Sequence, residues 1–91
     1  MHKSHEILKD GLSEAAEKIA VGSLYYHYKN PALLYRVLRL AVTEADDSVC
    51  VVYEAQYGDK LVFVRPLSSW LDEVTLNGKT VSRFTVVAAD E

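Results

Sequence analysis

The chain has 91 residues, 49% hydrophobic and 25% charged, which suits one small domain with a single core. Its net charge of -3 argues against binding along a nucleic-acid backbone, which requires a basic face. The single cysteine, Cys50, excludes an internal disulfide and a cysteine metal cluster. No secretory or membrane-spanning apolar segment is visible, so we expect a cytoplasmic protein without a membrane partner.

Residues 4–20 are predicted to form one amphipathic helix. Its apolar stripe recurs with helical spacing at Leu8, Leu12, Ala15 and Ile19. Ser4 is the predicted N-cap. Gly11 costs about 1 kcal/mol inside a helix, so a break near Gly11 is an alternative. The stripe either covers the rest of the domain or pairs with a second copy of the chain.

After Val21 the pattern alternates with period two, which predicts strands to about Val87. The predicted strands cover 24–28, 33–43, 48–57 and 61–65, followed by a hairpin over 74–81 whose second arm continues as the last strand to about Val87. We expect turns at Asn30-Pro31, at the charged stretch 44–47 and at 58–60, and one helical turn over 67–71.

The hairpin signal V74-T75-L76-N77-G78-K79-T80-V81 is the strongest local pattern in the chain. Asn-Gly between two β-branched runs predicts a type I′ turn, in which both central residues have positive φ. The short connections between strands leave no room for helical crossovers, so the strands are predicted to pair antiparallel.

These elements predict a mainly β fold, a small SH3-like antiparallel barrel with one N-terminal α-helix. The helix would occupy residues 1–20 and the barrel residues 21–91, as parts of a single domain.

Five blocks of sequence resemble a known family of short bacterial proteins. They are Y25-x-H27-Y28-K29, Y35-x-V37, V51-V52-Y53-x-x-x-Y57-G58, V64-R65-P66-L67 and G78-x-x-V81-x-R83-F84. Together they resemble the domain-of-unknown-function family numbered sixteen fifty-three, over about residues 21–85. The resemblance implies an SH3-type barrel and no established activity, cofactor or partner. Many members carry a histidine after the second strand, where this chain has A41-V42-T43-E44-A45.

The candidate ligand-binding residues are aromatic or cationic: Tyr25, His27, Tyr28, Arg65, Trp70 and Arg83. Tyr53 and Tyr57 join them in a predicted aromatic and arginine patch. Guanidinium and hydroxyl groups orient a polar or anionic ligand while the rings supply apolar area. The alternative is structural, because strands favour aromatic residues and the arginines have possible ion-pair partners in Glu54, Asp72 and Glu73.

For single residues of this patch the same two interpretations apply, ligand binding and a structural role. His27 titrates near neutral pH and is expected to share a strand face with Tyr25. Pro66 holds Arg65 extended, ready for a carboxylate or phosphate or for a structural salt bridge. Trp70 is expected to plug one end of the barrel or, alternatively, to be an exposed anchor.

No metal, cofactor or catalytic set is predicted. His2 and His5 are three residues apart, but a metal site requires two further ligands. No nucleophile elbow, phosphate-binding glycine loop or zinc spacing is present in the sequence.

Three functions fit these observations. The first is a non-catalytic recognition module that binds a peptide, nucleotide or protein ligand through the patch. The second is a phosphodiester-cleaving enzyme with His27 as general acid or base and an arginine stabilising the developing charge. The third is a homo-oligomeric structural protein that associates through the helix stripe or a barrel edge.

Overall fold

The computed structural model describes residues 4–87 of the chain. These residues form two helices and seven strands, so the predicted mainly β class with an N-terminal helix is confirmed. In chain order the elements are α1 (His5–Lys18), β1 (Leu24–His27), β2 (Asn30–Val42), β3 (Val49–Ala55), β4 (Val62–Pro66), α2 (Leu67–Trp70), β5 (Glu73–Leu76), β6 (Lys79–Ser82) and β7 (Phe84–Val86).

Helix α1 begins after Ser4, whose Oγ accepts a hydrogen bond of 3.3 Å from the Ile7 amide. The predicted N-cap is therefore confirmed. The helix continues through Gly11 without a break, and a Cβ added at Gly11 would lie 3.6 Å from a Val49 side-chain carbon. Ile19, just past the helix, is 2% exposed and enters the core. The second half of the apolar stripe, Ala15 and Ile19, is thus buried within its own chain, while Leu8 and Leu12 stay half-buried.

Five strands form one antiparallel sheet in the order β4-β3-β2-β1-β7, and β5 and β6 form a separate hairpin. The two edges of the sheet come close together, which shows that the sheet curls. The Arg65 guanidinium of edge strand β4 lies 5.1 Å from the Phe84 ring centroid on edge strand β7. This arrangement is consistent with a small barrel-like fold. The strand pairs within residues 4–87 do not join β4 to β7, so the SH3-type detail stays a prediction.

The predicted turn at Asn30-Pro31 is wrong. Strand β2 already begins at Asn30, which pairs with His27 across a turn made by Tyr28 and Lys29. The register shift in this pair leaves residues 31–33 without a paired residue in β1. Pro31 is therefore tolerated near the start of the strand, where its missing N–H is not required by the ladder.

A β-bulge interrupts the alternation that the sequence predicts for 33–43. The register of β2 against β3 shifts between Val37 and Arg39, so Leu38 is the extra residue. Val37 is fully buried, and Leu40, three residues later, packs against the same core. One extra residue exchanges the two faces of the strand, which a period-two pattern cannot anticipate.

The end of the chain forms two strands, where the sequence predicted one strand to about Val87. β6 and β7 are separated by Arg83, whose amide donates to the Asp72 carbonyl and whose carbonyl accepts from the Tyr28 amide, both at 3.0 Å. Arg83 thus carries the chain from the hairpin into the main sheet. The hairpin itself is confirmed, with φ of 54° at Asn77 and 79° at Gly78.

The core is organised around two stacked rings. Trp70 and Phe84 lie face to face, with centroids 3.8 Å apart and planes 1° from parallel. Trp70 is 2% exposed, which confirms that it is buried and not a surface anchor. The surrounding core residues are Ile19, Tyr25, Val37, Val51 and Tyr53.

Edge strand β4 and the residue before it expose apolar side chains to solvent. The exposed fractions are 59, 53, 40 and 62% for Leu61, Val62, Phe63 and Val64. An exposed apolar edge strand is a site at which chains associate. The homo-oligomer hypothesis stays a prediction, and this edge is the surface that it would use.

Replacing Trp70 with alanine is expected to lower the free energy of unfolding by about 3–5 kcal/mol, because the substitution removes a buried ring from the central stack. Urea denaturation followed by far-UV circular dichroism measures this loss, because the far-UV signal reports secondary structure and does not depend on tryptophan fluorescence. Leu61→Ala is the control and is expected to change stability by at most about 0.5 kcal/mol, since Leu61 is 59% exposed. A loss below about 1 kcal/mol in Trp70→Ala would contradict the central role of the stack.

Candidate functional site

Two of the predicted site residues, His27 and Arg65, contact the Phe84 ring, and the charge of Arg83 acts on His27 to lower its pKa. We call His27, Arg65 and Arg83 the cationic patch. His27 pairs with Phe84 across the β1–β7 ladder, and their ring centroids are 4.9 Å apart. Arg65 reaches the same ring from β4, and Arg83 directly precedes Phe84 in the chain. The curled sheet therefore places residues from three distant parts of the sequence at one point.

Arg65 is held by neutral hydroxyl groups. Its Nη1 donates to Ser69 Oγ at 2.9 Å, and its Nε donates to the Tyr53 hydroxyl at 3.4 Å. Ser69 lies in α2, which follows β4 directly, so the helical turn predicted over 67–71 also fixes the guanidinium. The ion pair predicted for Arg65 with one of three carboxylates is not found in the described part of the chain. The arginine is thus oriented but not neutralised by these groups.

Within residues 4–87, Arg83 has one carboxylate partner, Asp72, which is one of the three predicted. Its Nη2 lies 3.6 Å from Asp72 Oδ2, and the Asp72 side chain is 59% exposed. Exposed ion pairs contribute little because water screens them. The buried Nε of Arg83 has no hydrogen-bond partner among residues 4–87. Arg83 therefore has one buried N–H without an acceptor among these residues, and Asp72 offsets its positive charge only weakly.

The His27 imidazole is held in one tautomer. Its Nδ1 accepts a hydrogen bond of 3.2 Å from the Lys29 amide, so the proton of the neutral ring is on Nε2. Burial lowers the pKa of His27 below its usual value of 6.5, and the positive charges of Arg65, Arg83 and Lys29 lower it further. At neutral pH His27 is therefore a neutral hydrogen-bond donor through Nε2.

Tyrosine hydroxyls border the cationic patch. The hydroxyls of Tyr35 and Tyr57 are 2.6 Å apart, and the Tyr35 ring packs edge-on against Tyr53. Burial and the hydrogen bond with Tyr57 raise the pKa of Tyr35 to about 12. Only one proton lies between two hydroxyls, so the other hydroxyl proton of the pair is free to donate to a ligand.

The predicted ligand-binding residues separate into two groups. His27, Arg65 and Arg83 come together, and Tyr28 flanks them with its ring 4.7 Å from that of His27. Tyr25 and Trp70, in contrast, lie in the core. Tyr25 is 6% exposed, and its hydroxyl accepts from the Ala20 amide at 2.9 Å. These two rings lie below the cationic residues and line a separate cavity of about 300 Å³, which they share with Ile19 and Phe84.

Sequence reasoning missed three residues of the site: Tyr35, Ser69 and Phe84. Phe84 follows Arg83 in one of the blocks quoted above. An apolar ring after an arginine does not indicate that other site residues will pack around that ring. Ser69 lies four residues after Arg65, a spacing that a helical turn brings close. Tyr35 shares a strand face with Val37, which is buried. This shared face is the one sequence feature that indicates an inward position for Tyr35.

The fold and the patch define a small, mainly β domain with an oriented cluster of cationic and hydroxyl groups. Residues 23–86 match the family described as protein of unknown function, DUF1653. The match covers more than half of the chain, so the chain belongs to this family, which the sequence blocks also indicated.

A solved structure agrees with this assignment. The chain is similar to the crystal structure of a DUF1653 protein from Bordetella bronchiseptica, with a TM-score of 0.66 and 28% sequence identity over 81% of this chain and 97% of that one. A search of curated proteins gave no match.

Two further observations concern only residues 4–87. Neither helix is long and apolar enough to cross a membrane. No group of three or more potential metal ligands is present in this range, and His2, half of the histidine pair considered above, lies outside it.

Replacing Arg65 with glutamine is expected to raise the pKa of His27 toward 6.5, because it removes a nearby positive charge. An NMR titration of the imidazole Cε1 proton measures the change. Arg39→Gln is the matched control, since Arg39 is exposed and pairs with Val52 on the other face of the sheet. An unchanged His27 pKa in Arg65→Gln would contradict the placement of Arg65 close to His27.

The same shift makes stability depend on pH. Because folding lowers the pKa of His27, the unfolded chain binds the proton more readily, and acid favours unfolding. The His27 contribution to stability is expected to be present above pH 6.5 and to be lost as the pH falls through the lowered pKa of the folded state.

Proposed function

We propose that this protein is a non-catalytic recognition module that binds an anionic group, a phosphate or carboxylate, at the cationic patch. The ligand that carries this group is a peptide, a nucleotide or another protein. The observation that carries the proposal is the contact of His27 and Arg65 with the Phe84 ring, beside Arg83, whose one carboxylate partner within residues 4–87 is the exposed Asp72.

The charge balance supports an anionic ligand. The chain as a whole carries a net charge of -3, yet two guanidinium groups act on His27, and within residues 4–87 only that of Arg83 pairs with a carboxylate, Asp72. An arginine presents a planar fork of donors that matches carboxylate and phosphate oxygens. The lowered pKa of His27 reflects the same excess of positive charge.

The hydrogen-bond donors support the same ligand. At neutral pH His27 donates through Nε2, and the Tyr35–Tyr57 pair retains one hydroxyl proton. The Arg65 guanidinium is held in place by Ser69 and Tyr53, so little side-chain freedom is lost when a ligand binds. A preorganised set of donors, whose one carboxylate partner within residues 4–87 is the exposed Asp72, is suited to bind an external anion.

The enzyme alternative finds less support at this site. A general base must accept a proton, but Nδ1 of His27 already accepts the Lys29 amide and Nε2 carries the proton. Tyr35, with a pKa of about 12, is a weak acid near neutral pH. Phosphodiester cleavage stays a prediction from the sequence.

Inorganic pyrophosphate is the probe for the proposed function. Added to ¹⁵N-labelled protein, it is expected to shift the amide signals of His27, Arg65 and Arg83, and to bind more weakly as salt is added. Arg65→Gln is expected to weaken binding by about tenfold or more, since it removes charge-assisted hydrogen bonds.

Arg39→Gln removes the same charge from the other face and is expected to keep the wild-type affinity. Equal weakening in the two variants would mean that pyrophosphate responds to overall charge, and the proposed site would then be wrong.

A further inference from the structure

A small pocket opens beside the cationic patch, at the end of β3 and the start of β4. Its volume is about 160 Å³, and its walls are formed by Ala55, Tyr57, Gly58, Asp59, Leu61 and Phe63. Pockets for drug-sized ligands measure about 300 Å³ or more, so this one has room for a single ring system. Tyr57 and Phe63 keep 37% and 40% of their surface exposed, which leaves aromatic area free in the pocket.

The pocket and the cationic patch belong to one continuous surface. Phe63 and Arg65 are two residues apart on β4 and so share a strand face, about 6–7 Å from one another along the strand. Tyr53 joins them, because its ring lies 5.7 Å from the Phe63 ring and its hydroxyl accepts from Arg65 Nε. A ligand that fills the pocket therefore lies within short reach of the guanidinium.

Hydroxyl groups occupy the boundary between the two regions. Tyr57 lines the pocket, and its hydroxyl is paired with that of Tyr35, whose pKa is raised partly by this bond. The boundary thus offers hydroxyl donors and acceptors to a polyhydroxylated linker such as a pentose. Asp59 is also among the lining residues, and a carboxylate there suits ring amino or N–H groups as donors.

We propose that the ligand of this surface is a nucleoside 5′-phosphate, free or at the end of an oligonucleotide. The base stacks in the pocket on Phe63 and Tyr57, the pentose meets the Tyr35–Tyr57 hydroxyls, and the phosphate binds Arg65 and the rest of the cationic patch. This inference rests on the proposed function and narrows it to one class of ligand. The net charge of -3 fits a single terminal phosphate better than a long backbone.

The test compares four nucleoside 5′-monophosphates with ribose 5-phosphate by isothermal titration and NMR. At least one nucleotide is expected to bind about 5- to 100-fold more tightly than ribose 5-phosphate, the usual gain from stacking one base. Phe63→Leu is expected to remove this difference while ribose 5-phosphate binding persists. Val62→Ala, one residue away on the outer face, is the matched control.

Two further measurements keep the test decisive. Nuclear Overhauser contacts between base protons and the Phe63 ring in the wild-type complex are expected, and they do not depend on the folding of any variant. Oligonucleotides with and without a 5′-phosphate separate a free nucleotide from a strand end.

The outcomes separate this inference from the proposed function. If ribose 5-phosphate binds as tightly as every nucleotide, the base pocket is refuted and anion recognition stands. If pyrophosphate, ribose 5-phosphate and the nucleotides all fail to bind, both proposals are refuted.

Discussion

The stack of Trp70 on Phe84 is the contact on which the rest of the structure depends. Trp70 ends α2, the turn that follows β4, and Phe84 begins β7, so one pair of rings 3.8 Å apart joins the two ends of the strand order. Tyr53, from the middle of the sheet, packs edge-on against both rings. Because this cluster brings β4 and β7 together, Arg65 and His27 reach the same side of the molecule.

Local features of the fold were predictable, while irregular ones were not. The Ser4 cap and the Asn77-Gly78 turn follow from the chemistry of a few adjacent residues, and the structure confirms both. The bulge at Leu38 and the break at Arg83 depend on how distant strands meet, and alternation along one strand carries no information about them. At these two positions the pairing between distant strands determines the backbone conformation, and the local alternation pattern does not.

The candidate site shows the same division. Composition and spacing identified His27 and Arg65 as unusual, but the same reasoning grouped them with Trp70, which lies in the core. Aromatic residues are frequent both in buried strands and in binding surfaces, so residue type alone does not separate the two. Which side of the stack each ring occupies is fixed by the curl of the sheet. The centre, Phe84, became visible only when its neighbours from β1 and β4 were in place.

The central claim is that the aromatic stack assembles the cationic patch, and proton contacts in solution test it most directly. In a nuclear Overhauser spectrum of the free wild-type protein, the Phe84 ring protons are expected to show cross-peaks to Trp70, to the His27 imidazole and to the Arg65 side chain. Cross-peaks from Phe84 to Trp70, with none to His27 or Arg65, would show a formed core without the patch and would contradict the account.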